Sequence, residues 1–179
     1  MQERKDKVES ISRSIIRNAG KAIVLMHAEQ MAKAAAYINA LKRQVASLAK
    51  LDKGFEYYSL QAKQEFVEAL AFYVFAREKR LISSKEADVG EVAYMLGMLD
   101  LVGELKRDAI DALRKNDKKY ASLCYSTMQE IYDSTMPLRF ANSLVPDMRK
   151  KQDTARIQLE SLANELANST EPHRQGAGV

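Results

Sequence analysis

The sequence predicts an all-α protein. Helix-forming residues dominate, the 179 residues include only seven glycines and three prolines, and no segment alternates between apolar and polar residues as a half-buried strand does. A chain of this length can bury a core of its own, which predicts one helical domain over residues 1–167. The polar segment 168–179 is expected to form a disordered tail.

Breaks in the apolar pattern give the order of the helices. Residues 3–49 carry apolar side chains at helical spacing, which predicts one long helix or two helices in line, with Gly20 as the site of a kink. Residues 52–54 have the composition of a turn, and a helix over residues 60–80 is expected next. Ser83 and Glu86 have the spacing of a capping box, which predicts a short helix after Ser83.

The second half of the chain predicts three more helices. The first covers residues 90–114, and the second follows a break at residues 116–117 and ends near Asp133. The last begins with Pro146 as its first residue, a position that suits proline, and ends near Ala167. In the first of these helices the expected core stripe consists of Val92, Met95, Leu99, Val102, Ala109, Ile110 and Leu113.

The net charge of +4 is distributed unevenly. Residues 1–50 contain ten Lys or Arg side chains and four acidic ones, whereas the remainder contains eighteen and twenty. A basic N-terminal segment suits an anionic partner such as a nucleic acid, but the same pattern is typical of a solvated helix face. Charge alone leaves both interpretations open.

The single cysteine, Cys124, excludes an internal disulfide and a cysteine-based zinc site, and it is expected to be buried as a small apolar side chain. The charged N-terminus lacks the pattern of a signal peptide. No charge-free apolar run approaches the roughly 18 residues of a membrane span. These features predict a cytoplasmic protein that does not enter a membrane.

Glu68 is the only charged residue in the segment 66–76, and Glu65 precedes it by three residues. Residues at this spacing share a face of a helix. An ionised carboxylate loses several kcal/mol when it leaves water unless a cation, a metal or hydrogen bonds compensate. Glu68 is therefore expected to have either a structural ion pair with Lys or Arg, or a metal-binding or catalytic role.

Asp100 is the only charged residue in the segment 92–103, and Glu104 follows it by four residues. Both acids fall on a helix face with Ala93 and Gly97, which for this helix alone predicts a partly solvated acidic edge. Together with Glu65 and Glu68, however, they form two pairs of oxygen ligands, a set that favours Mg²⁺, Mn²⁺ or Ca²⁺. We expect these pairs to converge on one cation, with Glu104 in direct or indirect contact.

Other candidate residues favour structural roles. His27 lies in an apolar segment and is expected to be a core or interface histidine, because no nucleophile can be paired with it. The aromatic residues Phe55, Tyr57 and Tyr58 lie among lysines and could stack bases. Such a run is more often part of a core and of the beginning of a helix.

Four segments carry a family resemblance. They are KQEFVEALAFYVFAREKRLIS, YMLGMLDLVGELKRDAIDAL, MQEIYDSTMPL and VPDMRKKQDTARIQLESLANEL. In this order they resemble the translin/Trax (translin-associated factor X) family over residues 15–166. Glu65 and Glu68 match the Glu-x-x-Glu pair of the Trax branch, and Asp100 and Glu104 match the acids of its DLxGEL motif. The absence of a long insert and the short N-terminal extension resemble a minimal prokaryotic or archaeal member.

The resemblance implies a single curved domain of about seven helices, and a homo-oligomer in the form of a hollow, octamer-like barrel with its acidic sites facing the cavity. It implies Mg²⁺-dependent endoribonuclease activity on single-stranded RNA, with Mn²⁺ as a substitute and single-stranded DNA as a further ligand. Glu65, Glu68, Asp100 and Glu104 would then be both metal ligands and catalytic residues. The candidates for contact with the phosphate backbone are Lys42, Arg43, Lys53, Lys63, Arg149, Lys150 and Lys151.

Three interpretations of function remain open. The first is a metal-dependent ribonuclease, and the second is a non-catalytic scaffold that binds single-stranded RNA or DNA and keeps idle acids. The third is a purely structural helical oligomer. The four acids separate the first from the third, but a complete ligand set does not separate the first from the second.

Overall fold

The computed structural model describes residues 1–138, 145 and 147–170. Within these residues the protein consists of helices and contains no strand, which confirms the predicted all-α class. No helix in this part of the chain is long and apolar enough to cross a lipid bilayer. The helices are α1 (Gln2–His27), α2 (Met31–Ala49), α3 (Glu56–Glu78), α4 (Ser84–Ala87), α5 (Glu91–Arg114), α6 (Lys118–Thr135) and α7 (Met148–Thr170).

The N-terminal segment is a helical hairpin, so the prediction of one long helix or two helices in line over residues 3–49 is wrong. α2 folds back along α1, and Gln44 of α2 bridges two polar side chains of α1. Its amide nitrogen donates to Ser14 Oγ at 2.9 Å, and its amide oxygen accepts from Asn18 at 3.1 Å. Gly20, the expected site of a kink, lies inside continuous helix.

The turn between α1 and α2 has no glycine or proline to mark it. Glu29 takes the left-handed conformation, with a φ of 58°, that glycine usually supplies at a helix C-terminus. The backbone N–H of Gln30 donates to the Leu25 carbonyl at 2.8 Å and that of Glu29 to the Met26 carbonyl at 2.9 Å. These two bonds form a Schellman motif. Because apolar residues continue at helical spacing on both sides, the sequence pattern does not reveal the reversal.

α3 and α5 form the centre of the protein. α3 packs against α1 and α2, α5 packs against α6 and α7, and the two central helices pack against each other. The core therefore runs through the whole bundle, and Cys124 of α6 is fully buried in it, as predicted. A polar group lies at the start of α3, where the buried Asp52 accepts from Ser59 Oγ and pairs with Lys63, each at 2.5 Å.

The buried face of α5 differs from the predicted core stripe. Ala93 and Gly97, which were expected on a partly solvated edge, are buried, whereas Val92 and Met95 are only partly buried. A Cβ atom added at Gly97 would lie 2.6 Å from the backbone oxygen of Gln64 and from Val67 Cβ. The missing side chain therefore lets α5 approach α3 closely, and the acidic face of α5 is turned toward α3.

The remaining elements follow the sequence prediction closely. Ser83 and Glu86 form the predicted capping box, in which Ser83 Oγ accepts from the Glu86 N–H at 3.2 Å and the Glu86 carboxylate accepts from the Ser83 N–H at 2.8 Å. The break at residues 116–117 is present between α5 and α6. Pro146, expected as the first residue of the last helix, lies outside the described residues. α7 continues to Thr170, and the rest of the predicted tail also lies outside them.

A pair of glycine variants tests the close approach of α3 and α5. Gly97→Ala should lower the free energy of unfolding by about 1–3 kcal/mol, because its methyl group meets backbone and a branched side chain that cannot move aside cheaply. Gly20→Ala is the matched control, since a Cβ there meets nothing within 4 Å. It should raise the free energy of unfolding by about 0.5–1 kcal/mol. Urea unfolding measures both, and equal stabilisation by the two substitutions would contradict the close packing.

Candidate functional site

A cleft of about 840 Å³ lies between α3, α5 and the beginning of α7. Side chains along the first half of α3 form one wall of the cleft, and α5 forms the other. The residues that line it are Tyr57, Tyr58, Leu60, Gln61, Gln64, Glu65, Glu68, Leu96, Asp100, Asp147 and Lys151. Three of the four carboxylates predicted from the sequence thus share one cleft.

Two helix spacings and one glycine bring these carboxylates together. Glu65 and Glu68 lie three residues apart on one face of α3, and Asp100 follows Gly97 by three residues on α5. The contact of Gly97 with α3 is therefore less than one helical turn from the carboxylate of Asp100. Asp100 and Glu104 are partly exposed, as expected for an acidic edge of α5, but Ala93 and Gly97 on the same face are buried, and the contact with α3 carries Asp100 into the cleft.

Asp100 has partners for both carboxylate oxygens. Gln64 of α3 donates to Oδ2 at 2.5 Å, and the ammonium group of Lys151 on α7 forms an ion pair with Oδ1. Both side chains of the ion pair are mostly buried. The first turn of α7 thus places a protein cation on the carboxylate that the sequence predicted as a metal ligand.

The carboxylate of Glu68 has no hydrogen bond or ion pair with any residue that the structure describes, and the side chain is half-buried. Burial and the neighbouring charges of Asp100, Glu65 and Glu104 raise its pKa to about 8, while Lys151 opposes this shift. Burial and the charge of Asp100 also raise the pKa of Glu65. The expected alternative of a simple Arg or Lys ion pair for Glu68 is therefore not what the structure contains.

Glu104 is engaged on the side of α5 that faces α1. Its carboxylate pairs with Nε2 of His27, and Asp108 Oδ1 lies 3.2 Å from Nδ1 of the same ring. The ring is buried and lies 4.9 Å from the ring of Phe72. Burial alone would lower the pKa of His27, but Asp108 and Glu104 outweigh it and raise the pKa to about 9. His27 is thus the core histidine that was expected, with carboxylate partners that were not.

The comparisons with known proteins agree with this architecture. The family model of translin matches residues 3–162. The chain belongs to the translin family. An uncharacterized protein of Methanocaldococcus jannaschii is 26% identical over 166 residues, which cover 90% of this chain and 74% of that protein.

Solved structures of other proteins share the translin fold. The structure of AfC3PO in complex with duplex RNA has a TM-score of 0.86 and 26% identity, and the match covers 94% of this chain and 90% of that chain. Apo-NeC3PO has the same TM-score at 24% identity and covers 94% and 91%, a similarity that supports the fold alone. The resemblance stated from the sequence is thus confirmed at the level of family and fold.

The basic residues predicted to contact phosphate are scattered in this translin-family structure. Lys150 and Lys151 line a cavity of about 280 Å³ next to Asp100, and Arg149 is exposed beside them. Lys42 and Arg43 are exposed on α2, which packs against α1 and α3.

Lys53 and Lys63 lie near the beginning of α3. Lys53 is exposed, whereas the Lys63 side chain is only 14% exposed and pairs with the buried Asp52. The ammonium group of Lys63 is thus occupied within the protein, and it lends no support to a role in phosphate contact.

Sequence reasoning missed the two cationic partners of the acids. The Lys151–Asp100 pair joins residues 51 positions apart, and the His27–Glu104 pair joins residues 77 positions apart. The basic run of residues 149–151 was a usable signal for the first pair. For His27, the only signal was a titratable side chain in an apolar segment, and it did not identify a partner.

The donor chemistry of the cleft fits a divalent cation, although the present arrangement is not a complete site. In residues 1–138, 145 and 147–170, no three His, Cys, Asp or Glu side chains are grouped so as to hold a metal ion. Glu65, Glu68 and Asp100 nevertheless offer only oxygen atoms, which Mg²⁺ and Mn²⁺ prefer. The raised pKa of Glu68 reflects its burial first and then the neighbouring negative charges, and a bound cation would offset the cost of both.

Removal of the Glu68 carboxylate should stabilise the protein by an amount that depends on the pH. Because its pKa rises from 4.5 to about 8 on folding, unfolding releases a proton between these values, and the free energy of unfolding falls as the pH rises through this window. Glu68→Gln should therefore be more stable than wild type by about 1–3 kcal/mol at pH 9, with a smaller difference near pH 5. Urea unfolding in EDTA over this pH range measures the difference.

Glu91 is exposed at the beginning of α5, and Glu91→Gln is the control for the general effect of removing a carboxylate from this protein. Glu91→Gln should not reproduce the stabilisation at high pH. If wild type and Glu68→Gln lose stability in parallel from pH 5 to 9, the assignment of a costly charge to Glu68 is wrong.

Proposed function

We propose that this protein binds single-stranded RNA and hydrolyses it with a divalent metal ion inside a homo-oligomer. The observation that carries the proposal is Glu68, a half-buried carboxylate with no cationic partner among the described residues and with Glu65 and Asp100 in the same cleft. Such an arrangement costs folding free energy, and groups with perturbed pKa values in a cleft are candidates for function.

Membership of the translin family supports a nucleic acid as the ligand. AfC3PO, a protein of the same fold and 26% identity, has been solved with duplex RNA. The RNA in that complex is double-stranded, so a preference for single strands in this chain is the finer part of the proposal. Single-stranded DNA is the comparison ligand that separates recognition of the sugar from recognition of the phosphate backbone.

Glu65, Glu68 and Asp100 would hold Mg²⁺ or, in its place, Mn²⁺. When bound, the metal supplies an activated water and stabilises charge on the scissile phosphate. The protein side chains fix the ligands for this chemistry. Gln64 holds one oxygen of Asp100, and His27 holds Glu104 at the edge of the acidic group. We assign Glu104 two supporting roles, which are to orient the neighbouring groups and to add negative charge to the site, because its paired oxygen faces His27.

We propose two roles for Lys151, one in the metal-free protein and one in RNA binding. Its ammonium group pairs with Asp100 and lines the cleft, so it offsets part of the negative charge while no metal is bound. Lys150 lines the adjoining cavity. With a metal on the carboxylates, both ammonium groups are placed to contact phosphates of the RNA, where a charge-assisted bond is stronger than a neutral one.

A closed, octamer-like barrel with the acidic clefts facing inward is the assembly that we propose, following the family resemblance. Light scattering should give a mass several times the 20.2 kDa of one chain, and a 20.2 kDa particle at micromolar concentration would rule out the assembly.

A non-catalytic scaffold that binds single-stranded RNA or DNA is the alternative. The pairing of Asp100 with Lys151 and of Glu104 with His27 favours it, because protein cations already neutralise two of the four acids. In this case the acids stabilise the packing of α3, α5 and α7, and no hydrolysis follows. The two functions differ in turnover and in metal dependence, not in RNA binding.

Carboxylate variants separate these functions. Glu68→Gln and Asp100→Asn should each reduce cleavage of labelled single-stranded RNA in Mg²⁺ by at least about a hundredfold, because each removes a metal ligand. RNA binding in EDTA should be unchanged or tighter, since the variants remove negative charge from the cleft. Gel-based cleavage and fluorescence anisotropy measure the two properties.

Glu91→Gln again serves as the control and should cleave as wild type does. Wild-type protein that binds RNA but never cleaves it in Mg²⁺ or Mn²⁺ would support the scaffold. If both carboxylate variants lose binding and cleavage together, the acids maintain the fold rather than perform chemistry.

Charge reversal tests which basic residues contact the RNA backbone. Lys150→Glu should weaken binding and lower the slope of log affinity against log salt by about 0.7 for each phosphate that the variant no longer neutralises. The double variant Lys42→Glu, Arg43→Glu tests the basic N-terminal hairpin in the same way. Lys85→Glu, an exposed site on α4, is the control for a change of net charge and should leave the slope unchanged. Equal slopes for all variants would exclude specific backbone contacts at these positions.

A further inference from the structure

We propose that Tyr57 forms a stacking site for one unpaired nucleobase at the mouth of the acidic cleft. The inference rests on the proposed nucleic-acid function and adds to it a binding site that selects unpaired over paired bases. It does not depend on catalysis, because stacking needs neither a metal nor hydrolysis.

Tyr57 is unusually exposed for a large aromatic side chain. Its surface is 84% exposed, while the neighbouring Tyr58 is 39% exposed. The two rings are nearly perpendicular, with their centres 5.5 Å apart, so Tyr58 contacts only one side of Tyr57 and most of that ring stays open to solvent. Both residues line the same cleft as Glu65, Glu68 and Asp100. An exposed aromatic face beside a polar cleft is the surface on which a base stacks.

The spacing along α3 connects this ring with the carboxylates. Tyr57, Gln61, Glu65 and Glu68 recur every three or four residues and therefore share one face of the helix. At about 1.5 Å per residue, Tyr57 lies about 12 Å along the axis from Glu65. About three or four nucleotides at roughly 3.4 Å each span this distance, so one strand can reach from the ring of Tyr57 to the carboxylates.

Two cations of α1 hold the beginning of α3 in place. Arg4 donates to the backbone carbonyls of Leu51 and Lys53 at 2.7 and 2.5 Å, and its guanidinium group lies 5.2 Å from the ring centre of Phe55. Lys5 lies 4.6 Å from the ring centre of Tyr58. The aromatic pair is therefore fixed to the helical hairpin and lies beside positive charge, which complements an RNA backbone.

The same geometry makes the site selective. In a duplex each base is already stacked and paired, so a base must leave the helix before Tyr57 can reach its face. In a single strand the base is available, and every base offers a π-face, so the site discriminates strandedness rather than sequence.

Binding of matched oligonucleotides in EDTA tests the stacking site without cleavage. Tyr57→Ala should weaken binding of single-stranded RNA about tenfold, whereas Tyr57→Phe, which keeps the ring, should bind as wild type does. Neither variant should change the binding of a blunt duplex of the same sequence. In a series of strands that each carry one abasic nucleotide at a different position, the wild-type protein should lose affinity for the strand with the gap at one particular position. The affinity of Tyr57→Ala should not depend on a gap at that position.

The chain contains no tryptophan, so Tyr57→Trp introduces a unique fluorescent reporter. Its emission should be quenched by single-stranded RNA and not by duplex RNA. Val24→Trp, at another exposed apolar site on α1, is the control and should respond to neither.

Equal weakening of single-stranded and duplex binding by Tyr57→Ala would overturn the stacking site. A fall in oligomer mass for Tyr57→Ala in light scattering would also overturn it, because Tyr57 would then contact a second copy of the chain. Wild-type protein that cleaves RNA while Tyr57→Ala binds normally would refute this inference alone. Wild-type protein that binds RNA through Tyr57 but cleaves nothing would refute the proposed catalysis and leave the stacking site intact.

Discussion

The close approach of α3 and α5 at Gly97 is the constraint on which the candidate site depends. A side chain at this position would collide with the backbone of Gln64 and with Val67, so only glycine allows the two helices to pack at this distance. Asp100 lies less than one turn beyond the contact and reaches the α3 face that carries Glu65 and Glu68. The contact of Gly97 with α3 thus both closes the apolar core and positions the acidic cleft.

The carboxylates of the cleft lower the stability of the protein, and two ion pairs reduce this cost. Lys151 pairs with Asp100 and His27 pairs with Glu104, and each pair limits the cost of a carboxylate that leaves water. Glu68 has no such partner in the part of the chain that the structure describes, and its pKa of about 8 records the cost. A protein selected for stability alone would replace this carboxylate, because it is half-buried beside the like charges of Glu65 and Asp100. Its presence is most simply explained by a ligand that brings positive charge.

Local patterns predicted much of this structure, and long-range pairs account for most of what they missed. Helical spacing and the Ser83 capping box depend on neighbours in the chain, so the sequence was sufficient for α3 to α6. The reversal at Glu29 uses a non-glycine residue in the left-handed conformation, which composition does not signal. The partners of Asp100 and Glu104 come from helices 51 and 77 residues away. Spacing identified the acids, but only tertiary packing shows that Glu104 faces His27.

Divalent-metal binding by the purified protein tests the central claim most directly. Electron paramagnetic resonance of Mn²⁺ titrated into wild type, Glu68→Gln and Glu91→Gln counts the ions bound by each, and Mg²⁺ is then added as a competitor. We expect one Mn²⁺ site per chain that Mg²⁺ displaces, retained in Glu91→Gln and lost or strongly weakened in Glu68→Gln. Wild-type protein without a Mn²⁺ site, or Glu68→Gln with an unchanged one, would contradict the assignment of the cleft as a metal-dependent active site.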